Sequence, residues 1–507
     1  MGETMANLDE KIPKILLIYP PSILAPGFAR KTVLPLGIAY LAAVLRNKGA
    51  NVAVVDCIIE GIDTTFSVKG SDYYGLRLEE IRKRISQGAY DIVGISCQFS
   101  SMLEIVLEIC KIAKDCEVKY VIVGGPHASA QPESLLLSKL VDYVFIGEAE
   151  KSIADFVDCL MGGNTHYINN ISGLAYMDNG HLHSTSGLSL IENIDSIPFP
   201  ARDLFPIEKY FTKCSPMGGV FKSRRTLSMA TSRGCPGKCT FCASARFWGM
   251  KFRARSPENV LAEIRELRDK YRIEEVQFQD DNFTLNKKRA LEICRGMKER
   301  IGLPWSVPSG LALWSIDKEI IDAMSDAGCH YVAVAIESGN QRVLSEVIKK
   351  PLKLDKVPEL CRHFKKRKIK LAAFFITGFP DETLEEIRDT FNFASKCNLD
   401  TANFYFPTPL PGSPLWTQAE KENLFVKGFS LKNAIYDRPS LTSKNWTLKE
   451  LIDVVHHEKR MFYLKTLLRR PRILLFRIFE ILKHNPKQLV SMIYSQLFSK
   501  KIVSKGE

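Results

Sequence analysis

The chain has 507 residues, 45% of them hydrophobic and 25% charged, which predicts two or three globular domains. No apolar run reaches the roughly 20 residues of a membrane-spanning helix, and the first residues show no signal-peptide pattern. The 13 cysteines are mostly scattered singly, so a disulfide framework is not indicated and a cytoplasmic location is expected. Much of the net charge of +13 comes from residues 459–505, which hold twelve Lys and Arg and one acidic residue; this argues against general nucleic-acid binding.

Residues 10–160 alternate short apolar runs with segments of helical periodicity. The strand-like runs lie at 14–21, 51–56, 91–96, 120–124 and 141–146. A helical pattern from Leu36 to Lys48 ends at Gly49, a residue type that commonly terminates helices. This alternation predicts a doubly wound parallel sheet of Rossmann-like type, in which ligands bind beyond the carboxyl ends of the strands. No Gly-x-Gly-x-x-Gly follows the first strand, so a nicotinamide or flavin site is not indicated.

The rest of the chain divides into three predicted segments. Residues 161–225 are typical of a connector, with a glycine-containing hairpin at 173–183 followed by a stiff, proline-spaced stretch. Residues 226–420 resume the alternation of strands and helices. From 421 to 507 the pattern becomes helical and basic.

Three cysteines stand close together between the connector and the second alternating segment. Cys235, Cys239 and Cys242 have the spacing C-x3-C-x2-C, and the nearest other cysteines are Cys214 and Cys294. A structural zinc site uses four protein ligands, and an ordinary 4Fe–4S cluster uses four cysteines. Three thiolates therefore indicate a 4Fe–4S cluster with one iron left open for a small molecule. A zinc site or three buried thiols is the alternative.

This cysteine segment, with Phe241 between its last two thiols, strongly resembles the radical S-adenosylmethionine (SAM) family. The resemblance implies a partial (β/α)6 barrel over residues 226–420, in which SAM chelates the open iron beside Phe241. In the first segment, the order of Pro35–Leu45, Gly124–His127 and Gly147–Glu148 resembles the cobalamin-binding domain that precedes the barrel in many members, including the class B methyltransferases. The implied architecture is α/β: a cobalamin-binding domain, a connector, the barrel and a helical C-terminal region.

By resemblance, the ends of the barrel strands supply the other SAM-binding residues. Asp280 and Asp281 match the segment that accepts a hydrogen bond from the SAM ammonium group, although one Asp there also suits a helix cap. Glu337 and Ser338 match a ribose-binding Glu-Ser-Gly, and Arg342 is the alternative partner of Glu337.

The fifth barrel strand matches the segment that packs on the adenine of SAM. Ile376 and Gly378 are retained from the pattern Gly-x-Ile-x-Gly-x-Pro, whereas Phe374 replaces the first glycine. Ala312 and Trp314 also stand where relatives often carry Arg and Asp, and core packing is the favoured interpretation of this difference.

The resemblance also implies a cobalamin site in the first segment. Its residues are Tyr19, Gly37, Ser96, Gly124, Gly125, Pro126, His127, Gly147 and Glu148. The Asp-x-His-x-x-Gly pattern that places a histidine below cobalt is absent after the first strand, and Ile58 occupies the histidine position in Asp56–Gly61. We therefore expect no lower histidine ligand, and we expect His127 to bond backbone or the corrin edge.

The family relationship implies cobalamin-dependent methylation of an unactivated carbon in a small-molecule or lipid-like substrate. A 5′-deoxyadenosyl radical would activate the substrate carbon, and a reducing partner such as flavodoxin or ferredoxin would supply electrons. The alternative is a cobalamin-dependent cyclase or rearrangement enzyme without methyl transfer. A methylthiotransferase and a non-catalytic Fe–S or cobalamin sensor rank lower. The basic amphipathic stretch at 461–484 predicts peripheral contact with the inner membrane face or, alternatively, two helices that cap a domain.

Overall fold

The first part of the chain is built on a seven-stranded sheet. A computed structural model describes residues 12–24, 30–162, 165–185, 187–434 and 436–469. The strands are β1 (Lys14–Tyr19), β2 (Ser22–Ile23), β3 (Asn51–Asp56), β4 (Thr65–Val68), β5 (Ser71–Tyr74), β6 (Ile92–Ser96), β7 (Tyr120–Gly124), β8 (Tyr143–Phe145), β9 (Leu174–Asp178) and β10 (His181–Ser184). The helices are α1 (Leu36–Asn47), α2 (Cys57–Glu60), α3 (Leu78–Gly88), α4 (Leu103–Asp115), α5 (Pro126–Ala130), α6 (Pro132–Leu136) and α7 (Ala149–Met161).

This sheet is doubly wound, as predicted. Its strand order is β10-β9-β8-β7-β6-β1-β3, and the strands from β8 to β3 are parallel. Alternate residues of β1 are buried on opposite faces: Ile15 packs in the core beneath α1 and α7, and Leu16 packs in the core beneath α3 and α4. Both faces are covered because parallel sheets built from strand–helix–strand units place helices on both sides. The order reverses between β1 and β6, so a ligand crevice is expected at their carboxyl ends.

The predicted hairpin of the connector is part of this first sheet. Strands β9 and β10 pair with each other, and β9 pairs antiparallel with β8. The sheet therefore continues to Ser184, beyond the domain end that was predicted at residue 160. From 187 the chain crosses to the second sheet, and α8 (Ile207–Lys213) lies on this path.

The second part of the chain is built on six parallel strands. The strands and the short ribbon inserted among them are β11 (Thr226–Met229), β12 (Ser232–Arg233), β13 (Arg253–Ala254), β14 (Glu275–Phe278), β15 (Trp305–Leu311), β16 (Cys329–Glu337), β17 (Lys370–Ile376) and β18 (Thr401–Tyr405). The helices are α9 (Ala245–Trp248), α10 (Pro257–Tyr271), α11 (Lys287–Gly296), α12 (Lys318–Asp326), α13 (Val357–Lys366), α14 (Leu384–Lys396), α15 (Pro414–Lys421) and α16 (Leu448–Arg469). The strand order β11-β14-β15-β16-β17-β18 is that of an open six-stranded barrel.

The amino end of this barrel is filled by its own side chains. Glu275 and Gln277 of β14 are buried, and Ser306 of β15 donates to Glu275 and accepts from Gln277. The segment before β11 closes this end, because Met217 N donates to Gln277 at 3.1 Å and Lys222 N donates to Glu275 at 2.5 Å. The carboxyl end is thereby the end at which a ligand can enter.

The C-terminal region is helical only in part. Helix α16 packs against α14. Residues 422–447, in contrast, form mainly a loop with one antiparallel bridge between Phe425 and Leu441, so the predicted helical pattern is wrong there. The basic stretch beyond residue 469 lies outside the described residues. Within the described part of the chain, no helix combines the length and the apolar character needed to cross a bilayer.

Candidate functional site

The carboxyl ends of the two sheets lie against each other. Helix α5, which follows β7, contacts α9, which follows β11 through the cysteine segment. The short turn 100–102 after β6 contacts residues 431–433, and Lys432 pairs with Glu104 of α4 at 2.9 Å. In open α/β sheets these edges are where ligands bind, so both predicted cofactor sites share one junction.

The cysteine loop, residues 234–252, is closed at its neck by the two-stranded ribbon β12–β13. Ser232 pairs with Ala254, and Arg233 pairs with Arg253. Gly234 has φ +80°, and a Cβ there would lie 2.3 Å from the carbonyl oxygen of Lys251, so only glycine fits this neck. The ribbon brings the two ends of the loop together and holds the three thiols above the barrel.

The three thiols are half-buried and suit a cluster by their chemistry. A Cβ atom added to Gly237 would lie 3.3 Å from Cys235 Sγ and 3.9 Å from Cys239 Sγ, so these two thiols are on the same side of Gly237. Burial raises the pKa of all three, that of Cys242 to about 12, so a bound iron must displace the thiol protons. Within the described residues, no three His, Cys, Asp or Glu side chains converge as ligands of a single metal ion. Three thiols in one short loop are a donor set whose chemistry fits three irons of a 4Fe–4S cluster.

Phe241 connects the cysteine loop to the fifth strand. Its ring lies 6.3 Å from the ring of Phe379, which follows Gly378. The preceding residue, Thr240, donates its backbone N–H to the carbonyl oxygen of Ile348 at 2.9 Å. The structure thus brings together the thiol segment and the predicted adenine segment.

The two adjacent carboxylates after β14 have different surroundings. Asp280 is 2% exposed and accepts hydrogen bonds from Thr231 N, Thr231 Oγ1 and Ser232 Oγ, so it supports the ribbon below the cysteine loop. Asp281 is exposed and accepts a hydrogen bond from Ser244 Oγ at 2.8 Å. Neither residue caps the next helix, because Asn286 does so. Asp280 is therefore used inside the protein, and Asp281 is the carboxylate of the pair that is left with access to a ligand.

Glu337 is paired with a lysine that the sequence analysis missed. Lys350 Nζ lies 3.0 Å from Glu337 Oε1, and both side chains are buried. Burial lowers the pKa of Lys350, but the charges of Glu337 and Cys239 outweigh this effect and the net shift is upward. Arg342 instead pairs with Glu386 at 2.5 Å, so the alternative partner of Glu337 was wrong. In the sequence, nothing but its position before Pro351 distinguishes Lys350 from its neighbour Lys349.

Ser338 does not face a ligand. It is fully buried, its hydroxyl lies 3.1 Å from Thr390 Oγ1 of α14, and it accepts from Asn340 N. Its hydroxyl is used inside the protein, so its assignment to the SAM site is corrected. Glu337 itself has φ +72° and sits at a bulge in the pairing of β16 with β17, which turns its carboxylate out of the regular strand.

Ile376 ends β17, and Gly378 follows in a conformation that favours glycine. Gly378 has φ +96°, and a Cβ there would lie 3.0 Å from a methyl carbon of Leu451. Its backbone N–H donates to the buried carboxylate of Glu382 at 2.7 Å. Burial raises the pKa of Glu382 to about 8, although the hydrogen bonds from Gly378 N and Phe379 N oppose this rise. Glu382 thus holds the predicted adenine segment from behind.

Three aromatic rings line the barrel next to these residues. The rings of Phe374 and Tyr405 are 6.2 Å apart, and those of Tyr405 and Tyr436 are 6.1 Å apart. Gly310 has φ +111° and leaves room for Phe374. A Cβ atom added to Gly310 would lie 3.6 Å from the ring of Phe374. Tyr436 is the most exposed of the three rings, at 52%, and it lies close enough to Cys242 for the two groups to interact electrostatically. This end of the aromatic wall is therefore near the thiols, and only Phe374 had a sequence signal. Ala312 and Trp314 instead belong to core packing, as favoured.

The edge of the first sheet exposes backbone more than polar side chains. Tyr19 ends β1 at the switch point and donates its hydroxyl to Gln98 at 2.6 Å; Ser96 and Gly124 pair at the ends of β6 and β7. Gly125 has φ +110°, and a Cβ there would lie 2.9 Å from the carbonyl oxygen of Cys97. This glycine-lined edge fits a large flat group such as a corrin, held by shape and backbone contacts.

Two residues assigned to cobalamin use their side chains inside the protein. His127 is buried, and its ring nitrogens bond Ser100 Oγ at 2.9 Å and Ser134 Oγ at 3.2 Å, so the ring contacts side-chain hydroxyls rather than backbone. Glu148 is 1% exposed and pairs with Arg233 and Arg253 of the ribbon, so it joins the two sheets.

Three further predicted residues set the shape of this edge. Pro126 starts α5, and Gly37 lies in the first turn of α1 with open space around it. Gly147 has φ +80° and donates to Ser129 Oγ at 2.9 Å, so it supports the turn between β8 and α7. None of the three presents a polar side chain.

Comparison with known proteins identifies the two parts of the chain. A model described as "Radical SAM superfamily" matches residues 229–394, and one described as "B12 binding domain" matches residues 29–157. The chain is 33% identical over 485 residues to cytidylyl-2-hydroxyethylphosphonate methyltransferase of Streptomyces wedmorensis, covering 89% of this chain and 90% of that protein. It is 35% identical over 492 residues to an uncharacterised methyltransferase of Pyrococcus horikoshii, covering 96% of this chain and 99% of that protein.

More distant relatives include a cyclase and two solved structures. The anaerobic magnesium-protoporphyrin IX monomethyl ester cyclase of Cereibacter sphaeroides is 26% identical over 438 residues, covering 85% of this chain and 67% of that protein. The cobalamin-dependent radical enzyme OxsB, solved with aqua-cobalamin and SAM, has TM-score 0.69 and 16% identity, covering 97% and 75%. The methyltransferase TsrM of Kitasatospora setae has TM-score 0.65 and 18% identity, covering 81% and 76%; at such identities these structures show the fold.

These findings confirm the predicted fold class, the predicted enzyme class, and the three cofactors: a 4Fe–4S cluster, SAM and cobalamin. They also confirm methyl transfer as the main prediction over cyclisation, since the relatives that match at 33% and 35% identity are methyltransferases. The chain belongs to the radical SAM superfamily, among its cobalamin-dependent methyltransferases.

Proposed function

We propose that this enzyme methylates an unactivated carbon of a small molecule held between the cysteine loop and the first sheet. The observation that carries the proposal is the junction of the two carboxyl edges, where α5 contacts α9 and Lys432 pairs with Glu104. When bound, the cluster and SAM supply one-electron chemistry, and cobalamin supplies a methyl carrier. The chain places these cofactors beside each other and excludes water.

The barrel residues have separate roles in this proposal. Cys235, Cys239 and Cys242 hold three irons, and the fourth iron is left to SAM. Asp281 accepts a hydrogen bond from the SAM ammonium group, and it is supported in this role by its position beside Ser244, two residues after Cys242. Glu337 accepts from the ribose hydroxyls.

Lys350 and the fifth strand complete the proposed SAM site. Lys350 neutralises the buried charge of Glu337, and it lies close enough to Cys239 to oppose the rise that burial causes in the pKa of that thiol. Ile376 and Gly378 pack on adenine, with Glu382 fixing the Gly378 turn. No general acid or base is required for hydrogen abstraction by a carbon radical.

The aromatic wall supports a carbon-rich substrate. Phe374, Tyr405 and Tyr436 offer flat apolar surface with hydroxyls at its margin, in line toward Cys242. Such a surface recognises planar or branched hydrocarbon frameworks better than compact charged groups. The substrate named for the Streptomyces relative, cytidylyl-2-hydroxyethylphosphonate, is nevertheless the first probe, because that relative covers most of the chain.

Isotope transfer tests this function directly. Anaerobically reconstituted protein is incubated with dithionite, hydroxocobalamin, SAM labelled in its methyl group and the cytidylyl probe or a soluble hydrocarbon-rich extract fraction. Methyl transfer yields 5′-deoxyadenosine, S-adenosylhomocysteine and label in a third compound. 5′-Deoxyadenosine without transferred label would favour the cyclase alternative, and the absence of both nucleosides would leave only a sensor.

The reducing partner and the membrane contact belong to the same proposal. A flavodoxin or ferredoxin supplies the electrons, and its replacement of dithionite in the assay with retained 5′-deoxyadenosine formation supports this role. In this proposal, attraction between the basic residues at 461–484 and anionic lipids would hold the enzyme at a membrane face. Partition onto anionic vesicles, lost when five of these Lys and Arg are changed to Gln, supports that placement; unchanged partition contradicts it.

A further inference from the structure

Four buried charged side chains join the first sheet to the neck of the cysteine loop. Arg233 and Arg253 lie directly opposite each other in the ribbon β12–β13. Glu148, at the start of α7, pairs with Arg253 NH2 at 2.5 Å and with Arg233 NH1 at 3.2 Å. Glu150 pairs with Arg233 NH2 at 2.5 Å. All four side chains are 8% exposed or less, and together their formal charges cancel.

Burial of the two ribbon arginines would destabilise the protein unless the first sheet supplied its two carboxylates. Two like charges directly opposite in a ribbon repel each other, and a buried guanidinium without a carboxylate is strongly unfavourable. Nothing in the ribbon offsets the two arginines. Both carboxylates come from the segment after β8, at the carboxyl edge of the first sheet. The neck of the cysteine loop is therefore neutralised by the domain that matches the B12-binding model.

The same arginines are oriented by further contacts across the junction. The guanidinium of Arg233 lies 5.3 Å from the ring of Tyr40 in α1 and 4.8 Å from the ring of Trp248 in α9. Arg253 donates to the carbonyls of Ile191 at 2.8 Å and Trp248 at 2.6 Å. Trp248 lies within the cysteine loop, so the cluster of charges fixes both the neck of the loop and its far side.

We infer that Glu148 and Glu150 are positioning residues that set the placement of the cysteine loop relative to the cobalamin edge. This inference rests on the proposed function. The two partial reactions of such an enzyme depend on this placement to different extents. Reductive cleavage of SAM takes one electron from the cluster, which titanium(III) citrate supplies again, and breaks the bond between sulfur and the 5′ carbon. Methionine is released, and the 5′ radical becomes 5′-deoxyadenosine by taking a hydrogen atom from a C–H bond of the substrate or, without substrate, of a buffer molecule. This reaction needs only the barrel. Methylation of cobalamin crosses the junction.

In the crossing reaction, the bond between the SAM sulfur and its methyl group breaks and S-adenosylhomocysteine is released. The methyl group bonds to cobalt, and both electrons of the new bond come from cob(I)alamin, which titanium(III) citrate produces. This displacement needs the cobalt in line with the sulfur–methyl bond, and a misplacement of about 1 Å is expected to cost on the order of 100-fold in rate. Loosening the joint should therefore separate the two rates.

The test compares Glu148→Gln, Glu150→Gln and Glu148→Asp with the wild-type protein. In single turnovers with SAM and cobalamin, we expect Glu148→Gln to slow S-adenosylhomocysteine formation about tenfold or more, with 5′-deoxyadenosine formation changed by less than about twofold. Glu150→Gln, which removes one ion pair only, should have the smaller effect and keeps the test valid if Glu148→Gln folds poorly. Glu148→Asp should restore part of the rate.

A readout without cofactors accompanies these rates. Hydrogen–deuterium exchange of the apo protein should be faster at residues 234–252 in Glu148→Gln, because the neck loses its neutralising carboxylate. Glu263→Gln is the matched control: Glu263 is also fully buried between two arginines, Arg202 and Arg255, but it belongs to α10 of the barrel part. It should lower the melting temperature and leave the ratio of the two rates unchanged.

The outcomes separate the inference from the function. If wild-type protein forms neither nucleoside, the proposed function fails. If wild-type protein forms both and Glu148→Gln lowers both rates equally, or if Glu263→Gln shifts the ratio as much, the positioning role is wrong and the function stands. Unchanged hydrogen–deuterium exchange of residues 234–252 in Glu148→Gln would also overturn the positioning role.

Discussion

The two carboxyl edges that meet in this enzyme are built in different ways. At the barrel edge, individual side chains face the expected ligands: three half-buried thiols, Asp281, and Glu337 with its lysine. At the edge of the first sheet, glycine backbone faces outward, while His127 and Glu148 are used inside the protein. In the proposed function, the barrel therefore binds its cofactors by ligation and charge, and the first sheet binds cobalamin by shape.

This difference follows from what each cofactor demands. Iron and a sulfonium amino acid need thiolates and charged partners, and such partners are specific residue types. A corrin is a broad, flat group, which a close backbone can cover. At the barrel edge, substitutions should therefore weaken cofactor binding by removing a ligand. At the edge of the first sheet, they should weaken it by adding atoms that the cofactor needs to displace.

The largest effect is expected from removing a thiol. Cys239→Ala leaves one iron without its ligand, so iron content should fall below about a tenth of wild type and 5′-deoxyadenosine formation should become undetectable. Iron analysis and the nucleoside assay measure both. Cys116→Ala, at the end of α4 in the first part, is the control and should retain full iron. Full iron in Cys239→Ala would break the contrast between the edges.

The next effect is expected from adding one carbon to the other edge. In Gly125→Ala the new Cβ would lie 2.9 Å from the Cys97 carbonyl oxygen at φ +110°, so the turn must move and cobalamin affinity should fall about 10- to 100-fold. Iron content should not change. Gly180→Ala carries similar strain, φ +81°, in the β9–β10 turn with free space around it, and should keep cobalamin. An equal loss of cobalamin affinity in Gly125→Ala and Gly180→Ala would mean that backbone strain alone causes the loss.

A smaller effect is expected from the buried pair Glu337–Lys350. Removing one partner leaves an uncompensated buried charge, so Lys350→Met should cost about 3–5 kcal/mol in the free energy of unfolding and weaken SAM binding about tenfold. The double variant Glu337→Gln/Lys350→Met should recover much of the stability and none of the SAM affinity. Chemical denaturation and equilibrium dialysis with SAM measure the two quantities. Recovered SAM affinity in the double variant would assign the pair to folding alone.

The fold could be predicted from the sequence because its signals are local. Apolar runs and helix ends placed the parallel strands of both sheets, and the spacing of three cysteines identified the cluster loop. What failed depends on contacts between distant segments. Lys350 gains its partner only when β16 and the turn before Pro351 come together. The segment 422–447 contains Gly428 and Pro439, two residue types that interrupt helices, and it forms mainly a loop.

The side-chain contacts of His127 and Glu148 in the first sheet could not be predicted, for a related reason. A Gly-Gly-Pro-His turn and a Gly-Glu pair are located correctly by the sequence, at the ends of β7 and β8. Whether such side chains turn toward a ligand or into the protein is decided by Ser100, Ser134 and Arg253, which are remote in sequence from one another. Position along a strand was thus predictable, and direction was not.

The smallest effect on cobalamin is expected from His127→Gln. Both ring nitrogens are bonded to serine hydroxyls, so cobalamin affinity should change by less than about twofold, and cob(II)alamin in the wild-type protein should show no nitrogen splitting in its electron paramagnetic resonance spectrum. Splitting that disappears in the variant would instead make His127 a cobalt ligand and remove the contrast between the two edges.

His127 also predicts how stability changes with pH. Burial lowers its pKa from 6.5 to about 4, so between these values the unfolded chain binds a proton that the folded chain does not. The wild-type apo protein should therefore lose stability as the pH falls through this range, and His127→Gln should lose less of it. Melting temperatures at pH 7 and pH 5 measure the difference. An equal loss in both proteins would show that the imidazole is not held neutral by its burial.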